Sequence, residues 1–207
     1  RFKGKSLGTR LKIAILDNGF NGHGNAIGKS LPANTVYRQG PPSEADKIKE
    51  DKRSYHGLLM AQILAGVIEQ SGAKLDYELH LFFAFGYTKF AAAVKSIIDE
   101  KFDLVLYSQV WEFGGNGDGK GYINSVVSQA TDAGVVWINA AGNFGRLMRI
   151  VPVDSKVDGQ DEWVLFKNAK GKTSDRAEVE CGGKKGESCE NFRLVVAWND
   201  FKDQEGI

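Results

Sequence analysis

The sequence predicts an α/β fold, a doubly wound parallel sheet with helices on both faces. Apolar, β-rich runs alternate along the chain with stretches that have the helical period. The runs are apolar almost throughout, as expected of strands that are buried on both sides. The predicted strands are Leu11–Leu16, Tyr77–Phe85, Asp103–Gln109 and Gly134–Ala140, and the predicted helices are Gly57–Gln70, Lys89–Lys101 and Tyr122–Ala133.

The size and charge of the chain exclude some classes of function. Its 207 residues are enough for one well-buried α/β core. With 27 Lys and Arg against 26 Asp and Glu, the net charge is +1, which gives no broad positive field for phosphate backbones. No apolar run approaches the roughly 20 residues that a membrane span requires. The sequence therefore predicts neither a nucleic-acid partner nor a membrane partner.

Three polar residues stand at the carboxyl ends of predicted strands. Asp17 opens the turn Asp17-Asn18-Gly19, Ser108 lies near the end of its strand, and Asn143 follows the last one. Ligands of open α/β sheets bind beyond these strand ends, so the topology gathers the three residues on one rim. Each motif taken alone also fits a plain turn, because Asp, Asn and Gly are ordinary turn residues.

The first helix begins close to a histidine. His56 precedes an apolar pattern in which Leu58, Leu59, Ile63 and Val67 are predicted to face the core. The positive end of the helix dipole disfavours an imidazolium, so the ring stays neutral and able to act as a base. A surface or capping histidine is the alternative.

Two further segments are assigned structural roles. The charged, Pro-containing connection from residue 38 to residue 54 is predicted to be a surface loop. His80 lies inside a predicted strand and is expected to be a half-buried packing residue.

Three motifs together resemble the subtilisin-like serine proteases. They are Asp17-Asn18-Gly19, the helix opening at His56-Gly57, and Ala140-Ala141-Gly142-Asn143; they occur in the family's order, with 39 residues from Asp17 to His56 and 87 from His56 to Asn143. The resemblance extends over residues 10 to 145. It implies an incomplete subtilisin-like domain that hydrolyses peptide bonds, in which Asp17 orients His56, His56 transfers protons and Asn143 stabilises the oxyanion.

The substrate-lining motif of the family is present in altered form. Ser108-Gln109-Val110 resembles the family's Ser-Leu-Gly, and the resemblance implies that these residues pair with the substrate backbone as an added strand. Asn18 stands where the family usually has Ser or Thr, and Leu58 and Leu59 replace the Thr and the second His that follow the catalytic His and its Gly. These departures suggest a divergent branch.

No segment supplies the nucleophilic Ser, which the family carries in Gly-Thr-Ser at the start of an apolar helix. The nearest candidate, Ser174 in Gly171-Lys172-Thr173-Ser174, is followed by a charged stretch that cannot bury a helix face. We therefore expect the Ser beyond Ile207, in the remaining part of the same catalytic domain, and no hydrolysis by this chain alone. The alternative is a non-catalytic subtilase-like module that binds a peptide or a protein partner.

The chain is predicted to change character near its residue 150. Residues 1–150 would be the N-terminal part of the catalytic domain, and residues 151–207 a β-rich insertion or the start of a second domain. The predicted strands there are Glu162–Phe166, Ala177–Cys181 and Phe192–Trp198.

The only two cysteines, Cys181 and Cys189, flank a flexible loop. A local disulfide would suit an oxidising compartment, and two free thiols remain the alternative. The family resemblance implies an extracellular or periplasmic location.

One glycine-rich loop has competing interpretations. Residues 114–120 fit the first seven positions of a phosphate-binding loop, but Gly121 stands where Mg²⁺ binding needs Ser or Thr. Asn116 and Asp118 offer calcium two side-chain oxygens, short of its roughly 6 to 8 ligands. We interpret the segment as a surface loop. No metal or other cofactor is predicted with certainty, and a structural Ca²⁺ stays open.

Overall fold

The computed structural model of the chain describes residues 10–48, 54–112, 119–143, 153–158, 161–167 and 170–174. These residues fall into two units, one that ends at Ala141 and one that begins at Gly142. Several predictions lie outside the described residues: the strands Ala177–Cys181 and Phe192–Trp198, the Cys181–Cys189 pair, and Asn116 and Asp118 of the glycine-rich loop.

The first unit is built on a five-stranded parallel sheet with strand order β2-β3-β1-β4-β5. This confirms the predicted α/β fold with a parallel sheet. The strands are β1 Leu11–Asp17, β2 Val36–Arg38, β3 Tyr77–Phe83, β4 Leu104–Tyr107 and β5 Val136–Asn139, and the helices are α1 His23–Ala26, α2 His56–Gln70, α3 Tyr87–Asp99 and α4 Tyr122–Asp132.

Helices cover both faces of this sheet. On one face, α2 packs against side chains of β1 and β3 such as Ile15 and Leu81. On the other face, α3 and α4 pack against the alternate residues of the same strands, such as Leu16 and Phe82. Both faces of β1 are therefore buried, which is why its sequence is apolar without alternation.

The short elements and some boundaries were not predicted. The three residues of β2, the four of α1 and a 3₁₀ helix at Glu44–Lys47 are too short to carry a period. The prediction of a surface loop is therefore wrong at Arg38 and at Glu44–Lys47. Strand β4 ends at Tyr107, so Ser108 and Gln109 follow the strand instead of belonging to it.

The predicted core-facing stripe of α2 is wrong. Leu58 faces the core, but Leu59, Ile63 and Val67 are exposed, the last two by 58% and 60%. The core-facing side of the helix also includes Ala61, Leu64, Ala65 and Ile68. Helix α2 carries apolar residues on most of its circumference. Its sequence is therefore compatible with burial of more than one side of the helix and does not show which side is buried.

The sheet face that carries α2 has further exposed apolar residues on its edge strand. Val136 and Ile138 of β5 are about half exposed, and they pair with Leu104 and Leu106 of β4, which pack on the α2 side of the core. Cross-strand partners point to the same face of a sheet. We call the exposed residues of α2 and β5 the α2-side apolar surface; they are Leu59, Ile63, Val67, Val136 and Ile138.

A buried lysine ties the connection after β2 to α3. Lys89 is fully buried, and its Nζ donates hydrogen bonds to the carbonyl oxygens of Gln39 at 2.8 Å and Pro41 at 2.7 Å. Asp46 Oδ1 lies 3.2 Å from the same nitrogen. A buried ammonium is tolerated only when its charge and its donors are matched in this way.

Replacing Lys89 by Met should lower the free energy of unfolding by about 2 kcal/mol, because two partly buried carbonyl oxygens and the Asp46 carboxylate lose the buried ammonium group that they bind. The matched control is Lys95→Met on the same helix, whose exposed Nζ binds Asp99 at 2.6 Å and should contribute less than about 0.5 kcal/mol. Urea unfolding measures both values. Equal losses in the two variants would contradict the anchoring role of Lys89.

His80 is more buried than predicted. It is 5% exposed and contacts Phe102 edge to face, with ring centroids 4.8 Å apart. Its Nδ1 accepts a hydrogen bond from Arg38 Nε at 3.0 Å, and Arg38 also donates two hydrogen bonds of 2.7 Å to Glu100. Burial is the main cause that lowers the pKa of His80. The neutral ring therefore links the edge strand β2 to the interior.

The second unit contains an antiparallel sheet with order β6-β7-β8, made of β6 Val153–Asp158, β7 Asp161–Lys167 and β8 Thr173–Ser174. The predicted strand Glu162–Phe166 lies within β7. Ser174 lies in β8 and pairs with Phe166. Within the described ranges, every helix is too short or too polar to cross a membrane.

Candidate functional site

Asp17 occupies a central position at the carboxyl edge of the parallel sheet. It is the last residue of β1, which lies between β3 and β4. The residue is fully buried, and its backbone oxygen accepts a hydrogen bond from Ala84 N–H at 2.8 Å. The sheet edge thus holds one carboxylate in a fixed place.

His56 meets this carboxylate from the first turn of α2. Its Nδ1 lies 2.8 Å from Asp17 Oδ2, so an ionised Asp17 fixes the tautomer with the proton on Nδ1. The imidazole side chain is 44% exposed, and no described residue forms a hydrogen bond with its Nε2. The ring therefore presents an acceptor nitrogen on the side away from the buried acid.

Backbone hydrogen bonds hold the two elements together. Gly57 N–H donates to Gly19 O at 2.9 Å, and Asn21 N–H donates to Ser54 O at 3.1 Å. Ser54 Oγ accepts from His56 N–H at 3.0 Å. The first N–H groups of a helix have no partner within the helix, so these contacts both complete α2 and fix His56 against the turn after β1.

Close approach explains a glycine on each side of this junction. A Cβ on Gly19 would overlap the backbone of Ser54, and a Cβ on Gly57 would lie 2.5 Å from Asp17 Cβ. The turn and the helix can therefore approach closely enough for the Asp17–His56 hydrogen bond only if both positions lack a side chain. In the sequence, the glycines were visible as part of the motifs, but this steric reason was not.

Burial and hydrogen bonding act on the Asp17 carboxyl in opposite directions. Burial raises its pKa and is the larger effect, whereas the hydrogen bond and charge interaction with His56 lower the pKa. Two donors to Oδ1 also lower it: Asn18 N–H at 2.8 Å and Gln109 Nε2 at 3.4 Å. The anion thus depends on these donors to offset the cost of its burial.

The residues predicted to bind substrate follow β4 directly. Ser108, Gln109 and Val110 are partly buried and lie outside any regular element. The register of Leu16 with Tyr107 brings this segment beside Asp17. The structure therefore joins Gln109 to the Asp17–His56 pair, a contact that the sequence did not predict.

Asn143 belongs to the second unit and is exposed. It follows Gly142, whose φ of 86° makes a turn that favours glycine. The role of Asn143 as an oxyanion donor rests on the sequence alone and stays a prediction.

The described residues include no cluster of three or more His, Cys, Asp or Glu that could hold a metal ion. In comparisons with known proteins, the chain matches no family model, no curated protein and no solved structure. The fold and the site therefore define the protein only as a parallel α/β protein with a buried Asp–His pair at the carboxyl edge of its sheet.

Proposed function

We propose that the complete protein is a serine endopeptidase and that this chain supplies the acid and the base of its catalytic triad. The observation that carries the proposal is the 2.8 Å contact between the buried Asp17 Oδ2 and Nδ1 of the half-exposed His56. A buried acid, an imidazole and an outward acceptor nitrogen are the arrangement that activates a serine hydroxyl.

In this mechanism His56 Nε2 accepts the proton of the serine hydroxyl as the oxygen attacks the peptide carbonyl. Asp17 stays ionised and stabilises the imidazolium that forms. His56 then donates the proton to the leaving amine. Asn143 would donate to the tetrahedral oxyanion, and Ser108 to Val110 would pair with the substrate backbone.

We place the nucleophilic serine in a segment outside these 207 residues, in the remaining part of the same domain. The α2-side apolar surface supports this placement, because a group of exposed apolar side chains is a site that another element can cover. Ser174 fits this role poorly, since it is paired with Phe166 in an antiparallel sheet and a charged stretch follows it in the sequence.

A non-catalytic subtilase-like module that binds a peptide or protein partner is the second candidate. It is favoured by the observation that no described hydroxyl group forms a hydrogen bond with His56 Nε2. Under this interpretation, the Asp17–His56 hydrogen bond would hold α2 against the end of β1 and would have no catalytic role.

A fluorophosphonate probe distinguishes the two candidates. It should label the full-length protein, and labelling should be lost in a His56→Ala variant because the hydroxyl loses its base. The 207-residue chain should remain unlabelled. A folded full-length protein that does not react would exclude the endopeptidase, and labelling of Ser174 in the short chain would show that the nucleophile is placed wrongly.

A further inference from the structure

Gln109 makes a side-chain contact that its sequence motif does not explain. It is the middle residue of the segment that resembles the family's Ser-Leu-Gly, where a leucine has no polar group to offer. In this chain, the Gln109 side-chain nitrogen lies 3.4 Å from Asp17 Oδ1. An ionised carboxylate can only accept hydrogen bonds, so the amide must face it with its donor nitrogen.

The contacts of Asp17 divide between its two oxygens. Oδ2 contacts His56 Nδ1, and Oδ1 accepts from Asn18 N–H and from Gln109. Apart from His56, Gln109 is the only side chain in the described ranges that donates to this carboxylate. The other donor is the backbone N–H of Asn18, which a side-chain substitution other than proline would leave in place.

Gln109 is itself held in place from the neighbouring strand. Asn139, the last residue of β5, donates from Nδ2 to Gln109 O at 3.2 Å. Trp137 Nε1 donates to the side-chain oxygen of Asn139 at 3.2 Å, which fixes the orientation of the Asn139 amide. A series of hydrogen bonds thus runs from the Trp137 and Asn139 side chains to the backbone of Gln109, whose side chain reaches Asp17.

We propose that Gln109 is a positioning residue that holds the Asp17 carboxylate in the orientation and the ionised form that His56 requires. This inference rests on the proposed function and gives one residue of the predicted substrate segment a second role. The long, weak hydrogen bond to Oδ1 opposes rotation of the carboxylate about its Cβ–Cγ bond. Oδ2 therefore stays directed at His56.

The test is an NMR titration of the 207-residue chain in which the Asp17 carboxyl carbon and the His56 ring nitrogens are observed. Gln109→Met keeps the length of the side chain and removes its donor. We expect the pKa of Asp17 to rise because its carboxylate has lost a donor. When the pH is lowered, the carboxylate should therefore be protonated, and the His56 Nδ1–H signal lost, at a higher pH than in the wild type. Gln129→Met, an exposed site on α4, is the matched control and should shift neither signal.

A second variant covers the case in which Gln109→Met does not fold. Gln109→Glu keeps the shape and places a second carboxyl next to Asp17, so two like charges compete and the pair should titrate with a strongly raised upper pKa. If the introduced carboxyl titrates normally, the side chain does not face Asp17 and the inference is wrong.

The outcomes separate this inference from the proposed function. An unchanged Asp17 titration in Gln109→Met, with the His56 Nδ1–H signal present in the wild type, would overturn the role of Gln109 and leave the Asp–His pair intact. Absence of that signal in the folded wild type would remove the pair itself and the inference with it.

Discussion

Replacing Asp17 by Asn should move the proton of the neutral His56 ring from Nδ1 to Nε2 without unfolding the chain. In the wild type, Asp17 Oδ2 accepts from Nδ1 and Oδ1 accepts from Asn18 N–H and Gln109. An asparagine would keep its oxygen toward these two donors, so its NH2 group would face His56. Nδ1 would then have to accept, and the ring proton would sit on Nε2.

In the Asp17→Asn variant, His56 can no longer act as the catalytic base, because its Nε2 carries the proton. In the mechanism proposed above, Nε2 must be free to take the proton of the serine hydroxyl, and in the Asp17→Asn variant this nitrogen would already carry a proton. The same change in the triad of a known serine protease lowers kcat by about 10⁴-fold. We expect a loss of similar size in the full-length protein, together with slower fluorophosphonate labelling.

The same substitution should not weaken the fold at neutral pH. Burial raises the folded-state pKa of Asp17 above its unfolded value, so the folded chain binds more protons than the unfolded chain between these two pKa values. The contribution of the residue to stability is therefore fully present below the unfolded pKa and is lost as pH rises through the folded pKa. Asparagine does not ionise, so the Asp17→Asn variant does not lose this stability as the pH rises. The midpoint of thermal unfolding of the variant at about pH 7.5 should therefore equal or exceed that of the wild type.

Nitrogen-15 NMR of the imidazole rings measures the tautomer directly, and the chain has only 3 histidines to assign. Asp76→Asn is the matched control, because Asp76 is exposed and binds Arg10 at the surface. The control should leave the His56 ring unchanged. A ring that keeps its proton on Nδ1 in Asp17→Asn would contradict the arrangement of donors around the carboxylate.

The sequence contained enough information for the sheet and for the meeting of Asp17 with His56. The long apolar runs and the helical periods are strong signals, and parallel strands place their carboxyl ends on one edge. The pairing of Asp17 with His56 was implied by the family resemblance, and it agrees with the positions of the two residues at the end of β1 and the start of α2.

The remaining contacts depend on three-dimensional register, which periodicity does not carry. Gln109 reaches Asp17 because β4 pairs with β1 so that Tyr107 lies beside Leu16. Lys89 has the sequence of an exposed helix residue, yet its ammonium group is surrounded by carbonyl oxygens from the connection after β2. Helix α2 has apolar residues on its exposed side as well as on its buried side, so its sequence pattern did not show which side faces the core.

The two glycines of α2 should respond in opposite directions to the same substitution. At Gly57, an added Cβ would lie 2.5 Å from Asp17 Cβ, 2.7 Å from Phe20 Cε1 and 2.8 Å from Gly19 O. The first and third of these atoms belong to a strand end and a tight turn, which cannot move without breaking hydrogen bonds. At Gly66, the same Cβ would meet no atom within 4 Å.

Gly57→Ala should therefore lower the free energy of unfolding by about 3 kcal/mol or more, at the upper end of the cost of overpacking. Gly66→Ala should raise it by about 0.5 to 1 kcal/mol, because alanine restricts the unfolded chain and favours the helix. Urea unfolding of both variants gives the comparison. If Gly57→Ala folds, the added Cβ should push α2 away from the turn after β1. The hydrogen bond between His56 and Asp17 should then break, and the His56 Nδ1–H signal should be lost. A stable Gly57→Ala variant that keeps this signal would show that the close junction is not what brings Asp17 and His56 together.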